Sequence, residues 1–131
     1  MRQFFKKRNR EDDWLARFLT STRQFNAASG RVNASAFMPP DDLRLSVFVI
    51  TALAESAVWE LGLAQVGRPS GRNIHARADL VARVIPEVGL TLERDDVPHR
   101  HAAITGWSAQ KSEQKLFALE LANRAKLHKR T

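Results

Sequence analysis

The sequence predicts an α+β fold in which a small antiparallel or mixed sheet, of about four to five strands, packs with an N-terminal helix, a middle helix and a long C-terminal helix. Apolar residues recur at helical spacing near both ends and in the middle of the chain, whereas residues 43–50 alternate as in a strand. The 131 residues contain no internal repeat and no long linker. We therefore expect a basic flexible arm (1–10) followed by a single domain (11–131).

The first predicted element is a helix that begins after Asp12 and Asp13, which can cap it, and ends at Ser29-Gly30. The apolar residues that recur near helical spacing in it are Trp14, Leu15, Phe18, Leu19 and Phe25.

A β-hairpin is predicted next, with strands at 32–38 and 43–50 around the turn sequence Pro39-Pro40-Asp41-Asp42. One face of the second strand is apolar throughout: Leu43, Leu45, Val47 and Val49. The other face begins polar and ends apolar: Arg44, Ser46, Phe48 and Ile50. We expect the first face to be core, and the second face to be covered only over its later half.

The middle helix is predicted after Thr51, a possible N-cap, with Gly62 or Gly67 as its stop. Residues 67–73 contain three helix breakers and are predicted to be a loop. Residues 76–89 fit either a strand or a short helix, and the pattern does not choose between them.

The last strand is predicted at 101–107, followed by a helix from about 109 to 128 that Ser108 can cap. One side of this helix is expected to pack on the sheet through Phe117, Ala118, Leu121 and Ala125. The opposite side is expected to be a basic ridge of Lys111, Lys115, Lys126 and Arg130. The packing face leaves out Leu116, Leu119 and Leu127, so either the N-terminal helix or a second subunit covers them.

Positive charge is concentrated at the two ends of the chain. The protein carries 21 basic and 14 acidic residues, for a net charge of +7, and the pI is near 10.8. Residues 1–35 contain eight basic and three acidic side chains, and residues 101–131 contain six and two. Such charge attracts an anionic partner, and it serves equally as a solvated arm that keeps the protein soluble.

Several functional classes are excluded by composition and motif. With no cysteine, the chain has no disulfide, thiolate metal site or cysteine nucleophile. It contains no nucleotide-binding glycine loop, HExxH, GxSxG or EF-hand sequence. No apolar run is long enough to span a membrane, and residues 1–10 do not resemble a secretory signal. We expect a cytoplasmic protein that needs no cofactor.

His101 is the candidate catalytic residue, because histidine titrates near neutral pH and can act as acid or base. Arg77 could hold an anion, and Asp79 could orient one of the two or act as a base. In a strand Arg77 and Asp79 share a face, so the alternative to a catalytic role is a structural ion pair between them. For His101 the alternative is a strand residue that is hydrogen-bonded to a neighbouring backbone. A metal bound by His99 and His101 would need a carboxylate, and Asp95 and Asp96 are close in sequence. The third ligand is not clear, so we expect no metal.

The loop GRPSGR (67–72) offers backbone N–H groups and two arginines that suit a phosphate, although such loops are also common connectors. Together with the arm and the last helix, it gives the predicted phosphate contacts: Lys6, Lys7, Arg8, Arg10, Arg68, Arg72, Lys111, Lys115, Lys126 and Arg130.

Six short segments carry a resemblance to a set of small uncharacterised bacterial proteins: Arg31-Val32, Ala36-Phe37-Met38-Pro39, Ser46-Val47-Phe48, Trp59-Glu60-Leu61-Gly62, Arg77-Ala78-Asp79-Leu80, and His101 to Trp107. The resemblance covers about residues 31–125. It implies a compact bacterial cytosolic domain and no particular activity.

Three functions follow as hypotheses. The first is a basic domain that binds DNA or RNA mainly through the phosphate backbone, with little sequence preference. The second is an interaction module whose partner is acidic or apolar, or a homodimer. The third is a metal-independent phosphodiester-cleaving enzyme that uses His101, Arg77 and Asp79. The sequence leaves open whether the protein is an enzyme.

Overall fold

A computed structural model describes residues 10–130, in which a six-stranded antiparallel sheet has the order β6-β7-β4-β1-β5-β8. The strands are β1 (Trp14–Leu19), β2 (Phe25–Asn26), β3 (Arg31–Val32), β4 (Leu45–Val49), β5 (Ala76–Val81), β6 (Thr91–Glu93), β7 (His101–Thr105) and β8 (Lys126–Lys129). The short strands β2 and β3 pair with each other outside the main sheet. The helices are α1 (Glu55–Gly62), α2 (Arg68–Ser70), α3 (Val84–Glu87) and α4 (Lys111–Arg124).

Both faces of the sheet are covered, each by a different set of elements. Side chains such as Leu15, Leu45 and Ile104 form one face, where α3, α4 and the 3₁₀ turn Ala34–Phe37 complete the main core. On the other face a smaller cluster packs Phe18 and Phe48 against α1. Successive residues of a strand point to opposite faces, so these central strands are apolar on both sides.

The middle helix is continuous over residues 55–70, because a π-helical segment (Leu63–Gly67) joins α1 to α2. Gly62 lies directly on β1, where a Cβ atom would stand 2.6 Å from the ring of Phe18. Glycine therefore allows the helix to cross the sheet at close range. The helix ends at Gly71, whose φ of 69° is left-handed.

The predicted N-terminal helix is wrong, because its first half is the central strand β1. Leu15 and Leu19 face the main core, whereas Ala16 and Phe18 face the smaller one. A short strand that is buried on both faces lacks the alternation of apolar and polar residues, so over six residues it cannot be told from a helix by periodicity.

The predicted hairpin is half right. Its second strand is β4, with the expected apolar face in the main core and with α1 over Phe48 and Ile50. The first strand does not form, because residues 32–38 make only the end of β3 and then a 3₁₀ turn with buried Ala36 and Phe37. The chain therefore packs across the main core instead of pairing with β4.

The middle of the chain is more helical than predicted. The helix begins at Glu55 rather than after Thr51, runs through both Gly62 and Gly67, and takes in residues 68–70 of the predicted loop. The ambiguous segment 76–89 contains both candidates in succession, the strand β5 and the short helix α3.

The C-terminal region differs most from the prediction. β7 is the predicted strand, but α4 is 14 residues long and ends at Arg124, and the chain then pairs with β5 as a sixth strand. The basic ridge is wrong for the same reason, since Lys126 and Arg130 lie in and after β8. Leu127 packs on the main core from β8, while Leu116 and Leu119 on α4 are 69% and 46% exposed. No helix within residues 10–130 is long and apolar enough to cross a membrane.

Candidate active site

His101 lies at the start of β7, and strand pairing decides which side chains it meets. Its Cα is opposite Phe48, and Ala103 is opposite Ser46. Because paired residues share a face, the side chains of His101, Phe48 and Ser46 lie together on the face that α1 covers. The His101 ring stands edge-on to the Phe48 ring, with centroids 5.4 Å apart.

Three side chains form a hydrogen-bonded chain through the imidazole, which we call the His101 cluster. Asp95 Oδ1 lies 2.7 Å from His101 Nδ1, and Ser46 Oγ lies 2.9 Å from His101 Nε2. A carboxylate only accepts hydrogen bonds, so we assign the imidazole proton to Nδ1. The unprotonated Nε2 then accepts a hydrogen bond from the Ser46 hydroxyl, which is the arrangement that activates a serine nucleophile.

The loop that carries Asp95 is fixed to the start of β7 by its own backbone. Asp96 N donates to His101 O, and His101 N donates to Pro98 O, both at 2.9 Å. The Val97–Pro98 peptide is cis. The hydrogen bond from His101 lowers the pKa of the Asp95 carboxyl below its ordinary value, with smaller contributions from the Val97 N–H and the charges of His101 and Arg44. Asp95 is therefore ionised at neutral pH and holds the imidazole in one orientation.

Arg17 brings a positive charge to the same place. The ladder between β1 and β4 stops at the pair Ala16 and Phe48, and beyond it the guanidinium of Arg17 binds the backbone of Ser46. Its Nε donates to Ala36 O at 2.9 Å, and its Nη1 donates to Ser46 O at 3.0 Å. Burial lowers the pKa of Arg17 from its ordinary value to about 10, which still leaves it charged at neutral pH.

Arg17 has no ion pair with a carboxylate within residues 10–130. An arginine whose only partners are two carbonyl oxygens keeps a full positive charge and donors for an anionic ligand. Its hydrogen bond to the carbonyl of Ser46 places that charge at the groove that Ser46 also lines.

Two depressions meet at His101. A groove of about 460 Å³ is lined on the strand side by Arg17, Ser46, Phe48 and His101, and on the other side by Gln65, Val66, Pro69, Ser70 and Pro98. A second cleft of about 300 Å³ is more polar, and its lining includes Arg10, Arg94, Arg100 and His99 together with the carboxylates Asp13 and Asp96. Arg94 is paired with the buried Asp13 at 2.7 Å. The imidazole therefore stands between a largely apolar groove and an arginine-rich cleft.

The structure does not bring Arg77 and Asp79 together with His101. They share its sheet face, but they lie on β5, and β4 and β1 stand between β5 and β7. Three strand spacings correspond to about 14 Å. The rings of Phe18 and Phe48 fill the intervening space.

Arg77 and Asp79 belong instead to a second group, the Arg77 cluster, with Glu55 and His128. Arg77 Nε donates to Asp79 Oδ1 at 3.1 Å, and Nη1 donates to Glu55 Oε1 at 2.5 Å. His128 Nε2 lies 3.3 Å from Asp79 Oδ2, and the guanidinium stacks 4.8 Å above the Trp59 ring. Every ionised group of this cluster has a partner inside it.

The pKa values of the Arg77 cluster follow from burial and pairing. Burial raises the pKa of the Asp79 carboxyl, against the opposing charges of Arg77 and His128. Burial also lowers the pKa of Arg77, but Glu55 and Asp79 outweigh it and raise that pKa overall. The hydrogen bond from Arg77 lowers the pKa of Glu55. This cluster fixes the start of α1 to the sheet.

The predicted phosphate contacts are dispersed over the surface. Lys6, Lys7 and Arg8 lie outside the described residues, and Arg10 lines the arginine-rich cleft. Arg68 pairs with Glu60, and Arg72 is exposed in the following loop. The remaining four are exposed on two elements, with Lys111 and Lys115 on α4 and Lys126 and Arg130 in and after β8.

Sequence analysis missed Ser46, Arg17 and the role of Asp95. Ser46 is an exposed polar residue within an apolar strand, and Arg17 interrupts the apolar run of β1, so both positions are unusual. Their partners are 29 and 55 residues away along the chain, and only the pairing register connects them. The described residues contain no group of three or more His, Cys, Asp or Glu side chains placed to hold a metal ion.

Comparisons of the chain with family models, curated proteins and solved structures find no match.

Proposed function

We propose that the protein is a metal-independent phosphodiesterase that acts on nucleic acid. The observation that carries the proposal is the hydrogen-bonded chain from Asp95 through His101 to Ser46, because it supplies both a nucleophile and its base. The charge of Arg17 beside Ser46 favours a substrate whose reacting group is an anion, and so a phosphodiester over a neutral ester.

The proposed reaction has two steps. Ser46 Oγ attacks phosphorus while its proton passes to His101 Nε2, and the departing alkoxide takes that proton as its P–O bond breaks. A phosphodiester on Ser46 remains. His101 then removes a proton from water, the hydroxide attacks phosphorus, and Ser46 Oγ leaves and regains the proton.

Arg17 is proposed to bind the non-bridging oxygens of the phosphoryl group. Those oxygens carry negative charge throughout the transfer, and a guanidinium can bind two of them at once. The arginines of the second cleft, Arg10 and Arg100, are proposed to hold a neighbouring phosphate of the same strand. The exposed lysines and arginines would add affinity without base selectivity.

The test is hydrolysis of bis(4-nitrophenyl) phosphate and of short RNA and DNA strands, with EDTA present. His101→Ala and Ser46→Ala are each expected to lower kcat/KM by about a thousandfold or more. Matched controls are His75→Ala and Ser35→Ala, which change the same residue types outside the groove. Cleavage that EDTA abolishes, or wild-type protein that cleaves none of these substrates, contradicts the proposal.

Nucleic-acid binding is tested separately from cleavage, with the Ser46→Ala protein. The logarithm of its association constant is expected to fall linearly with the logarithm of salt concentration. Removing residues 1–10 should make that slope shallower, because they contain four predicted contacts, one of which, Arg10, also lines the second cleft. The proposal includes a cytoplasmic location, which fractionation of the native cells tests.

A second candidate function is self-association through α4, which the exposure of Leu116 and Leu119 favours. Two copies related by a two-fold axis between these leucines would place Lys115 of each opposite Glu120 of the other, so the contact is self-complementary. Leu116→Asp should then convert a dimer into a monomer in sedimentation, without unfolding the chain. A wild-type protein that is monomeric at high concentration rules this candidate out.

A further inference from the structure

The π-helical segment of the middle helix forms one wall of the groove at His101. Arg68 N donates to Leu63 O, five residues earlier, so this turn holds one residue more than an α-helical turn. Gln65 and Val66 lie inside that wide turn, and both line the groove opposite Ser46 and His101. π-Helical turns occur often at functional sites because the extra residue redirects side chains.

The groove offers surfaces that suit a flat apolar ring. Val66 and Pro69 line it from the helix, Pro98 lines it from the loop that carries Asp95, and Phe48 lies beneath. Its volume of about 460 Å³ falls in the range of small-molecule sites, roughly 300–1,000 Å³. Aromatic heterocycles pack well against such side chains.

Gln65 is the neutral side chain in this groove that carries both a donor and an acceptor at a fixed separation. Within residues 10–130 its amide has no hydrogen-bond partner, and the residue is half-buried. A half-buried amide without a partner is available to a ligand. The amide of glutamine matches the paired donor and acceptor groups on the edge of a nucleobase.

We infer that Gln65 is a specificity residue that binds the edge of a nucleobase attached to the scissile phosphate. The base lies between Val66, Pro69 and Pro98, and the phosphate lies on Arg17. This inference rests on the proposed function for the position of the phosphate, and it adds the residue that recognises the base next to that phosphate.

The experiment compares a dinucleotide with the same phosphodiester lacking its bases. Gln65→Leu is expected to lower kcat/KM for the dinucleotide about tenfold or more, and to leave kcat/KM for the abasic compound unchanged. Gln65→Glu replaces the donor with a second acceptor, so it should raise the preference for guanine, which presents two adjacent donors, over adenine. Gln110→Leu, an exposed glutamine at the start of α4, is the matched control. Thermal melting of each variant verifies that it is folded.

Equal losses on both substrates, or no loss on either, overturn the inference while leaving the phosphodiesterase intact. Binding of adenosine monophosphate and of ribose 5-phosphate to the same variants, followed by NMR, separates the two proposals if no substrate is cleaved. In that case tighter binding of the nucleotide, lost in Gln65→Leu, supports base recognition and removes only the catalytic proposal. Equal binding of the two ligands overturns both.

Discussion

The His101 cluster and the Arg77 cluster lie on one face of the same sheet, and each contains a histidine beside an aspartate. In the Arg77 cluster every charged group is paired within the cluster. Arg77 donates hydrogen bonds to Asp79 and Glu55 and stacks on Trp59. In the His101 cluster the chain of hydrogen bonds ends on a serine hydroxyl at a groove, next to Arg17, which among residues 10–130 binds only carbonyl oxygens. The same residue types thus hold a helix in one place and leave a serine hydroxyl and a guanidinium at a groove in the other.

The largest effect we expect is the contrast between the two histidines. His101→Ala should remove about a thousandfold or more of kcat/KM, because it removes the base, whereas His128→Ala should leave kcat/KM within about twofold. Initial rates on bis(4-nitrophenyl) phosphate measure both. Similar losses in the two variants would mean that the groove is not where the reaction occurs.

The second effect concerns stability and belongs to the Arg77 cluster. Arg77→Met leaves Asp79 buried without its main partner, so we expect unfolding free energy to fall by about 3–5 kcal/mol in urea titration. The double variant Arg77→Met with Asp79→Leu should recover most of that loss, because no unpaired buried charge remains. A double variant as unstable as Arg77→Met would show that packing on Trp59, and not the charge, is what holds the helix.

Arg17 should behave differently from Arg77 when it is replaced. Arg17→Met is expected to lower kcat/KM about a hundredfold, which corresponds to about 2.7 kcal/mol of lost transition-state binding. Its effect on unfolding free energy should be smaller than that of Arg77→Met, because it strands two carbonyl groups and no buried carboxylate. If Arg17→Met lowers the unfolding free energy but leaves kcat/KM unchanged, then Arg17 stabilises the fold and takes no part in the reaction.

The smallest effect is a difference in pH dependence between the two aspartates. The pKa of Asp95 is lowered by its hydrogen bond with His101, so its stabilisation is present above its ordinary pKa of 3.8 and is lost as pH falls below it. The pKa of Asp79 is raised by burial, so its contribution is present below 3.8 and is lost as pH rises through its folded value. Urea titrations of Asp95→Asn, Asp79→Asn and wild type between pH 3 and 7 should give stability differences that change with pH in opposite directions.

The features that could be predicted from the sequence are those whose pattern lies within one short segment of the chain. The alternation of β4 is visible in the sequence because only half of its second face is covered, and His101 stands out as a titratable residue on a strand. β1 could not be recognised, because burial on both faces erases the alternation. β8 could not be recognised either, since Lys126–Lys129 is polar and becomes a strand only by pairing with β5. The same limit hid Ser46 and Arg17, whose proximity to His101 depends on the register of three strands.

Arg17 lies where the pairing between the two central strands, β1 and β4, ends. β1 pairs with β5 over six residues and β4 pairs with β7 over four, but β1 and β4 share only two paired positions. Beyond these two pairs the Arg17 guanidinium, and not a backbone N–H, binds Ser46 O. The sheet thus consists of two halves joined by its shortest ladder, and the groove lies at the Arg17 end of that ladder. A ligand bound to Arg17 would add a link between the two halves beyond the end of the β1–β4 ladder. We therefore expect ligand binding in the groove to slow amide exchange in strands that the ligand does not contact.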